Sequence, residues 1–300
     1  MISYPDDVNL NAIVYLNGNY VSLSDAKISP LDRGFLFADG VYEVIPVYSG
    51  SFFCFEMHYQ RLQRSLKSIE LKINFGKEEF FNIAHQLVLK NSGRDQIIYL
   101  QITRGVAKRN HAFPINLSNP TIFAMSNPLT RPSHKDRTNG ISAITANDDR
   151  WKRCDIKSIS LLANVLARGK SNEKNAAEAI LVKDGKLQEG AASSIWIVKN
   201  NTVFLPEKGP SMLEGIRIKI VESICKKLNI DFVRRDIYSD EIIKSDEVFL
   251  TSATKEILAI TMIDGNEVGN EVHRNKPGPI FKKIQVEYDK LIIKPNKKIL

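Results

Sequence analysis

The chain has 300 residues, a hydrophobic fraction of 43% and a net charge of +8, which allow one large folded domain or two modest ones. No apolar run approaches the roughly 20 residues that span a bilayer, and no basic start precedes an apolar block, so we expect no membrane span and no signal peptide. The three cysteines are far apart, which indicates reduced thiols in a cytoplasmic protein, and the dispersed basic residues without a nucleic-acid motif indicate solvated surface.

The first half of the chain carries two hairpin signals, two helical signals and two strand signals. Alternating apolar and polar residues surround Asn17-Gly18, and a run rich in β-branched and aromatic residues, 41–48, precedes Ser49-Gly50. Such turns between strand patterns predict β-hairpins. Apolar residues at helical spacing predict two helices, and later alternation predicts two strands. The helices are predicted over 58–70 and 80–88, and the strands over 97–103 and 120–126.

A polar segment that contains two prolines separates the two halves of the chain. We interpret residues 128–136 as a linker between an N-terminal domain, 1–127, and a C-terminal domain, 137–300. The second half combines hairpin patterns with a helix that Gly215 opens. Its strands are predicted over 141–146, 179–182, 195–198, 203–205 and 247–251. The mixture of hairpins and helices predicts an α+β protein of two domains.

Lys157 is the first candidate for chemistry. It precedes a predicted amphipathic helix whose apolar positions are Ile159, Leu162 and Leu166. A partly desolvated lysine amine can form a Schiff base with an aldehyde cofactor, and the neighbours Cys154 and Ile156 suit a semi-buried site. An ordinary solvated lysine explains the same residue, so Lys157 alone does not establish a site.

Further residues would complete a site for a cofactor with a ring nitrogen and a phosphate. Glu189, in a predicted strand, would face the ring nitrogen. The helix N-terminus at Ile216 and Arg217 and the turn 251–254 would offer donors to the phosphate. Arg61 could pair with the phosphate through two nitrogens. A water-facing carboxylate, an ordinary helix cap and a surface arginine are the alternatives.

Two residues in a loop suggest a clamp for a substrate carboxylate. Arg109 and His111 follow a predicted strand in the segment RGVAKRNHAFP. A guanidinium is suited to a carboxylate because it can offer two parallel N–H groups, and a histidine can add a donor. An exposed loop with no binding role is the alternative.

In order and spacing, these segments resemble the class IV aminotransferases, which are pyridoxal-phosphate enzymes of fold type IV. The similarity runs from about Ala12 to the C-terminal region and includes the helix around His58 and Arg61. The other segments are DRGFLFADGVYEVIPVYSG (32–50), YLQITRGVAKRNHAFP (99–114), WKRCDIKSISLLANVLA (151–167), EAILVKDGKLQEGAASS (178–194), MLEGIR (212–217) and VFLTSATKEI (248–257). Val44-Ile45-Pro46 stands where branched-chain members usually carry a glycine and an arginine, which favours the D-amino acid branch.

The resemblance implies a fold with a smaller N-terminal α/β domain and a larger, β-rich, pseudo-barrel C-terminal domain. It implies pyridoxal 5'-phosphate as the cofactor, Lys157 as its Schiff-base residue and the carrier of the substrate α-proton, and Glu189 as the partner of the pyridine nitrogen. The other implied cofactor contacts are Arg61, Ser193, Ile216, Arg217, Ser252 and Ala253, with Arg217 in place of a usual threonine. The implied substrate contacts are Tyr42, Arg109, His111 and Thr254.

The implied reaction is transamination between a D-amino acid, such as D-alanine, and 2-oxoglutarate, which gives pyruvate or another 2-oxo acid and D-glutamate. The partners would be these small molecules and a second copy of the chain, with the active site near the subunit interface, and no nucleic acid, membrane or metal. Two alternatives keep the fold, namely an L-branched-chain aminotransferase and an aminodeoxychorismate lyase. A third alternative is a non-catalytic basic protein that binds polyanions and no cofactor.

Overall fold

The computed structural model describes residues 5–115 and 119–293, and the chain divides into two compact units. The first unit takes Met1–Leu129 and Ile156–Ser160, and the second takes Thr130–Asp155 and Leu161–Leu300. The predicted C-terminal domain therefore differs from the second unit in including the segment around Lys157. That segment joins the first unit because its backbone bonds to a strand there, with Ile159 N–H donating to the Gly40 carbonyl at 3.1 Å. The predicted linker also differs, because a helix begins at His134.

The first unit is a six-stranded sheet with helices packed on it. Its helices are α1 (Arg33–Phe37), α2 (Phe55–Ser68) and α3 (Lys77–Lys90). Its strands are β1 (Ile13–Leu16), β2 (Asn19–Ser22), β3 (Gly40–Tyr48), β4 (Ser51–Phe52), β5 (Gln96–Thr103) and β6 (Thr121–Pro128). They lie in the order β2-β1-β6-β5-β3-β4, and all neighbours are antiparallel. Both predicted hairpins, both predicted helices and both predicted strands are confirmed.

The core of the first unit lies between its helices and its sheet. Leu62 of α2 and Phe80 and Leu87 of α3 are fully buried, as are Ile45 of β3 and Ile98 of β5. The helical residues follow the apolar spacing of the sequence, because only one face of each helix can cover the sheet. Burying that face fixes the rotation of α2, and with it the direction of the polar residues on the same helix.

The second unit is β-rich, and its sheet curls into a half-barrel. Its strands are β7 (Ile141–Asn147), β8 (Glu178–Lys183), β9 (Lys186–Gly190), β10 (Ser194–Lys199), β11 (Thr202–Leu205), β12 (Phe232–Arg234), β13 (Glu247–Ser252), β14 (Glu256–Ile263) and β15 (Asn266–Glu267). They lie in the order β12-β11-β10-β13-β14-β7-β8-β9, with β15 beside β14. The α+β class, with a smaller first unit and a larger β-rich one, is confirmed.

Five helices belong to the described part of the second unit. They are α4 (His134–Asn139), α5 (Leu162–Glu173), α6 (Ile216–Lys227), α7 (Ser239–Ile243) and α8 (Pro279–Ile293). The helix predicted to open at Gly215 is confirmed as α6. By contrast, α8 is absent from the predictions although Ile280, Ile284 and Tyr288 give it a readable apolar repeat. Within 5–115 and 119–293, no helix is both long enough and apolar enough to span a bilayer.

The helix predicted after Lys157 exists, but its apolar positions differ from the prediction. α5 begins at Leu162, so Ile159 precedes it. Leu162 and Leu166 are 72% and 60% exposed, and the buried positions are Ala167 and Ser171. The predicted helix is confirmed, but the predicted buried face is wrong, because small residues form the contact with the sheet and the larger side chains lie on the opposite face.

Candidate active site

The backbone of Lys157 is held by hydrogen bonds at both its carbonyl and its N–H. The Lys157 carbonyl accepts from the N–H of Tyr42 at 3.0 Å, and its own N–H donates to Ser65 Oγ at 3.2 Å. A Cβ at Gly40 would lie 2.6 Å from the Ile102 carbonyl oxygen of β5 and 3.1 Å from Ile159 Cδ1, so β3 lacks room for a side chain at this position. The Nζ of Lys157 lies 4.1 Å from the centroid of the Tyr42 ring, and the side chain is half-buried. A half-buried amine on an ordered backbone can react with an aldehyde cofactor.

Arg61 lies one helical turn from His58 on α2, and both side chains meet the buried carboxylate of Glu43. Arg61 donates from Nε and from an Nη to the two oxygens of Glu43, each at 2.8 Å, and His58 Nδ1 lies 2.8 Å from Oε2. Burial by itself raises the pKa of Glu43, but Arg61 and then His58 outweigh it and hold that pKa far below its ordinary value. The two-nitrogen pairing expected toward phosphate is thus made with Glu43, a residue to which the sequence assigned no role.

Replacing Glu43 with glutamine is expected to destabilise the protein by about 3 kcal/mol near neutral pH, because Arg61 loses its buried counter-ion. The folded pKa of Glu43 lies below its ordinary value of 4.5. The stabilisation is therefore complete above pH 4.5 and is lost as the pH falls further toward the folded pKa. Urea denaturation across this range should show the difference between Glu43→Gln and the wild type shrinking as the pH drops.

Glu56 on the same helix supplies the matched control. Its carboxylate pairs with Lys77 at 3.0 Å, and both side chains are about half exposed. Glu56→Gln should change the free energy of unfolding little at any pH, because exposed ion pairs contribute little. A Glu43→Gln deficit that stays constant from pH 7 to pH 3 would contradict an origin in the charge of Glu43.

Arg109 and His111 are brought together on one loop with exposed side chains. The Arg109 Cζ lies 5.5 Å from the centroid of the Phe37 ring, and the ring centroids of His111 and Phe37 are 5.2 Å apart. Both polar groups therefore rest against one aromatic ring while remaining open to a ligand. Tyr42, the third predicted substrate contact, packs beside Tyr99 with ring centroids 5.8 Å apart.

Glu189, in the second unit, is buried in an array of ionic and backbone bonds. Its carboxylate accepts from an Nη of Arg150, and the Leu213 N–H donates to it at 3.2 Å. Arg150 also pairs with Asp148 through Nε and an Nη, both at 2.8 Å, and donates to the Ser211 carbonyl at 3.0 Å. Burial by itself lowers the pKa of Arg150, but the carboxylates of Asp148 and Glu189 outweigh it, and the pKa lies above its ordinary value. Arg150 therefore stays charged.

Arg150 is therefore a partner of the predicted site residue Glu189 that sequence reasoning missed. A carboxylate that is 6% exposed needs a charged or hydrogen-bonding partner. The sequence does not indicate which residue this partner is, because Arg150 and Glu189 are 39 positions apart. Their pairing keeps a negative charge in place on β9.

Apart from Arg61, the predicted phosphate residues lie at the start of α6 and at or just after the end of β13. Gly215 is the N-cap of α6 and provides no side-chain cap to the first turn, where Ile216 and Arg217 lie. Arg217 is buried, and it donates to Tyr288 Oη at 2.6 Å and to the Ala253 carbonyl at 3.3 Å. Ser252 Oγ accepts from the Lys255 N–H at 3.0 Å. The uncapped first turn and the nearby arginine suit an anion.

Two other predicted residues have different surroundings. The hydroxyl of Ser193 donates to the fully buried Glu178 at 2.9 Å, and Lys255 Nζ pairs with the same oxygen at 3.0 Å. Thr254 is exposed in the turn after β13. A cofactor contact by Ser193 and a substrate contact by Thr254 stay predictions.

Residues 40–263 match the family described as amino-transferase class IV. Among curated proteins, the chain is 38% identical over 281 residues to a D-alanine aminotransferase of Bacillus licheniformis, covering 93% of this chain and 97% of that protein. It is 36% identical over 280 residues to a D-alanine aminotransferase of Staphylococcus haemolyticus, again covering 93% and 97%.

Solved structures show the same fold. The branched-chain amino acid aminotransferase of Escherichia coli superimposes with a TM-score of 0.85 at 22% identity, covering 94% of this chain and 95% of that one. A branched-chain amino acid aminotransferase of T.th, solved with pyridoxamine 5'-phosphate, gives a TM-score of 0.84 at 23% identity, covering 94% of both chains. At these identities the likeness establishes the fold and does not choose a substrate.

Proposed function

The chain belongs to the class IV aminotransferases, and from that membership we propose that it transfers the amino group of a D-amino acid, such as D-alanine, to 2-oxoglutarate. The products are pyruvate, or another 2-oxo acid, and D-glutamate. The observation that carries the proposal is the 36–38% identity to D-alanine aminotransferases over 93% of the chain. The exposed pair Arg109 and His111 supports it, because such a pair suits the carboxylate that both substrates share.

Pyridoxal phosphate is the cofactor of this family, and the residues of this chain fit it. The half-buried amine of Lys157 suits the aldehyde, and the buried carboxylate of Glu189 suits a protonated ring nitrogen. The uncapped first turn of α6, with Arg217, suits a phosphate. When bound, the cofactor supplies an electron sink for the charge that develops at the substrate α-carbon.

Each of these residues then has a defined task. Lys157 Nζ would take the proton from the substrate α-carbon and pass it on to the cofactor, and the bond from the Tyr42 N–H holds the backbone that carries this side chain. Glu189 keeps the ring nitrogen protonated, and the Arg150 ion pair and the Leu213 N–H hold its carboxylate in place. Arg109 and His111 bind the substrate carboxylate and so select amino acids over simple amines.

The proposal is tested by the absorbance spectrum of protein reconstituted with pyridoxal phosphate, recorded before and after addition of D-alanine or L-leucine. We expect D-alanine, and not L-leucine, to convert the aldehyde form of the cofactor to its amine form. Conversion by L-leucine alone would make the chain a branched-chain aminotransferase. Release of pyruvate from aminodeoxychorismate without an amino acceptor would make it a lyase, and no cofactor binding at all would favour the non-catalytic alternative.

We also propose that the enzyme is a homodimer. The supporting observation is the outer face of α5, where Leu162, Val165 and Leu166 are 60–72% exposed. Neighbouring large apolar side chains on one face are typical of a surface that a partner covers. Sedimentation should give the mass of two chains for the wild type and for Val286→Glu, which alters an exposed valine of α8. Leu166→Glu should shift the mass toward one chain, and an unchanged dimer would show that α5 is not part of the interface.

A cytoplasmic location stays a prediction.

A further inference from the structure

Arg33, on the short helix α1, is tied to the backbone of the loop that carries Arg109 and His111. Its guanidinium donates to the carbonyl oxygens of Asn110 at 2.6 Å, of His111 at 3.4 Å and of Ala112 at 3.4 Å. Arg33 is only 4% exposed. A planar group with several N–H donors can hold three consecutive carbonyls, and this fixes the path of the loop.

A second arginine joins this arrangement through a shared carboxylate. Asp39 Oδ2 accepts from Arg33 Nε and from Arg104 Nε, each at 2.8 Å. Arg104 is 2% exposed, donates to the Ile69 carbonyl at 2.6 Å, and lies 3.9 Å from the centroid of the Phe113 ring. The two buried arginines therefore contact the loop at residues 110–113, and Asp39 compensates part of their charge.

Phe37, at the end of α1, connects Arg33 to the two side chains expected to bind substrate. Its ring centroid lies 4.9 Å from Arg33 Cζ, 5.5 Å from Arg109 Cζ and 5.2 Å from the centroid of the His111 ring. Arg33 thus holds the loop backbone and the ring that supports both side chains. The loop itself is exposed, so its conformation depends on these few anchors.

We propose that Arg33 is a positioning residue for substrate-carboxylate binding, which it serves by anchoring the 109–112 loop and, with Phe37, orienting Arg109 and His111. The inference rests on the proposed function, since it takes these two residues as the carboxylate clamp. The ligand class is an α-amino or 2-oxo carboxylate. The anchoring depends on the fork shape of the guanidinium, because a lysine keeps the charge but offers a single compact ammonium.

Hydrogen exchange of the backbone amides tests the anchoring without any substrate. In Arg33→Lys, the amides of Ala107 and Ala112, which donate to the Leu31 carbonyl at 3.3 Å and to Asn110 Oδ1 at 3.1 Å, should exchange at least about 10-fold faster than in the wild type, while amides of α2 stay unchanged. The matched control is Arg94→Lys, which alters an exposed arginine that precedes β5 and donates to Ser49 Oγ at 3.3 Å. Exchange of the loop at the wild-type rate in Arg33→Lys would overturn the proposal.

Steady-state kinetics with D-alanine and D-alaninamide tests the consequence for binding. For D-alanine, Arg33→Lys should raise KM about 10- to 100-fold with little change in kcat, because a small misplacement of a clamp is costly. D-Alaninamide lacks the carboxylate, so its kcat/KM should fall much less. Phe37→Leu changes a half-buried side chain and leaves Arg33 intact. It should also lower kcat/KM for D-alanine more than for D-alaninamide.

The outcomes separate the inference from the function on which it rests. Equal losses for D-alanine and D-alaninamide, or a loss of pyridoxal phosphate absorbance, would mean a purely structural role for Arg33 and would overturn the inference. If the wild type binds the cofactor but does not convert D-alanine, the proposed substrate class fails. The exchange experiment then still decides whether Arg33 anchors the loop.

Discussion

Lys157→Ala is expected to abolish transamination. The variant removes the amine that we propose binds the aldehyde and moves the substrate α-proton. Loss of a single acid–base group costs about 10²–10⁴-fold, so we expect turnover of D-alanine with 2-oxoglutarate to fall by at least about 10³-fold. The variant should also lose the absorbance of covalently attached pyridoxal phosphate, which gives a readout that does not depend on activity.

Lys152→Ala is the control for this prediction. Lys152 lies in the same segment, and its side chain is exposed. Its removal should leave both turnover and absorbance unchanged. Because Lys157 is half-buried, its loss should leave the folded state intact, which circular dichroism can verify. Near-normal turnover by folded Lys157→Ala would exclude Lys157 as the reactive lysine and would require another amine for the chemistry.

Glu189→Gln is expected to have the second largest effect, with kcat reduced about 10²- to 10³-fold, the cost seen when one group that stabilises transition-state charge is removed. The amide keeps the size of the side chain and can still accept from the Leu213 N–H, but it carries no negative charge. The ring nitrogen would then lose the anion that favours its protonated form. Arg150 would also face an amide in place of its ionic partner.

The spectrum separates this variant from Lys157→Ala. In Glu189→Gln the amine of Lys157 is intact, so pyridoxal phosphate should still attach and absorb, while conversion by D-alanine becomes slow. Glu241→Gln is the control, because Glu241 also accepts a two-nitrogen pairing from an arginine, Arg235, at 2.7 and 3.1 Å. It should keep wild-type kcat. A Glu189→Gln kcat within about twofold of the wild type would contradict an essential negative charge at this position.

Local sequence pattern accounts for most of the secondary structure. All four residues of the turns Asn17-Gly18 and Ser49-Gly50 have positive φ angles, from 47° to 96°. Tight hairpin turns require such angles, and asparagine and glycine adopt them readily. Helical spacing of apolar residues located α2 and α3 within a few positions. Helices of five residues, α1 and α7, are too short to show a repeat, and they were missed.

The order and spacing of whole segments indicated the family, and the match to residues 40–263 agrees with it. Each matching segment is weak evidence alone, but several segments in the same order and at the same spacing together indicate one fold. The sequence therefore determined the class of protein and its cofactor, and it predicted Lys157 as the reactive lysine.

Only the tertiary structure decided which charged groups meet. Glu43 and Arg61 are 18 positions apart, Arg150 and Glu189 are 39 apart, and Arg33 reaches a carbonyl 77 positions away. Such pairs arise because sheet topology brings distant segments together, and a buried charge must then find a partner. The tertiary structure also decided which face of α5 is exposed. Helical spacing shows which residues share a face, but only packing against the neighbouring sheet determines which face is buried.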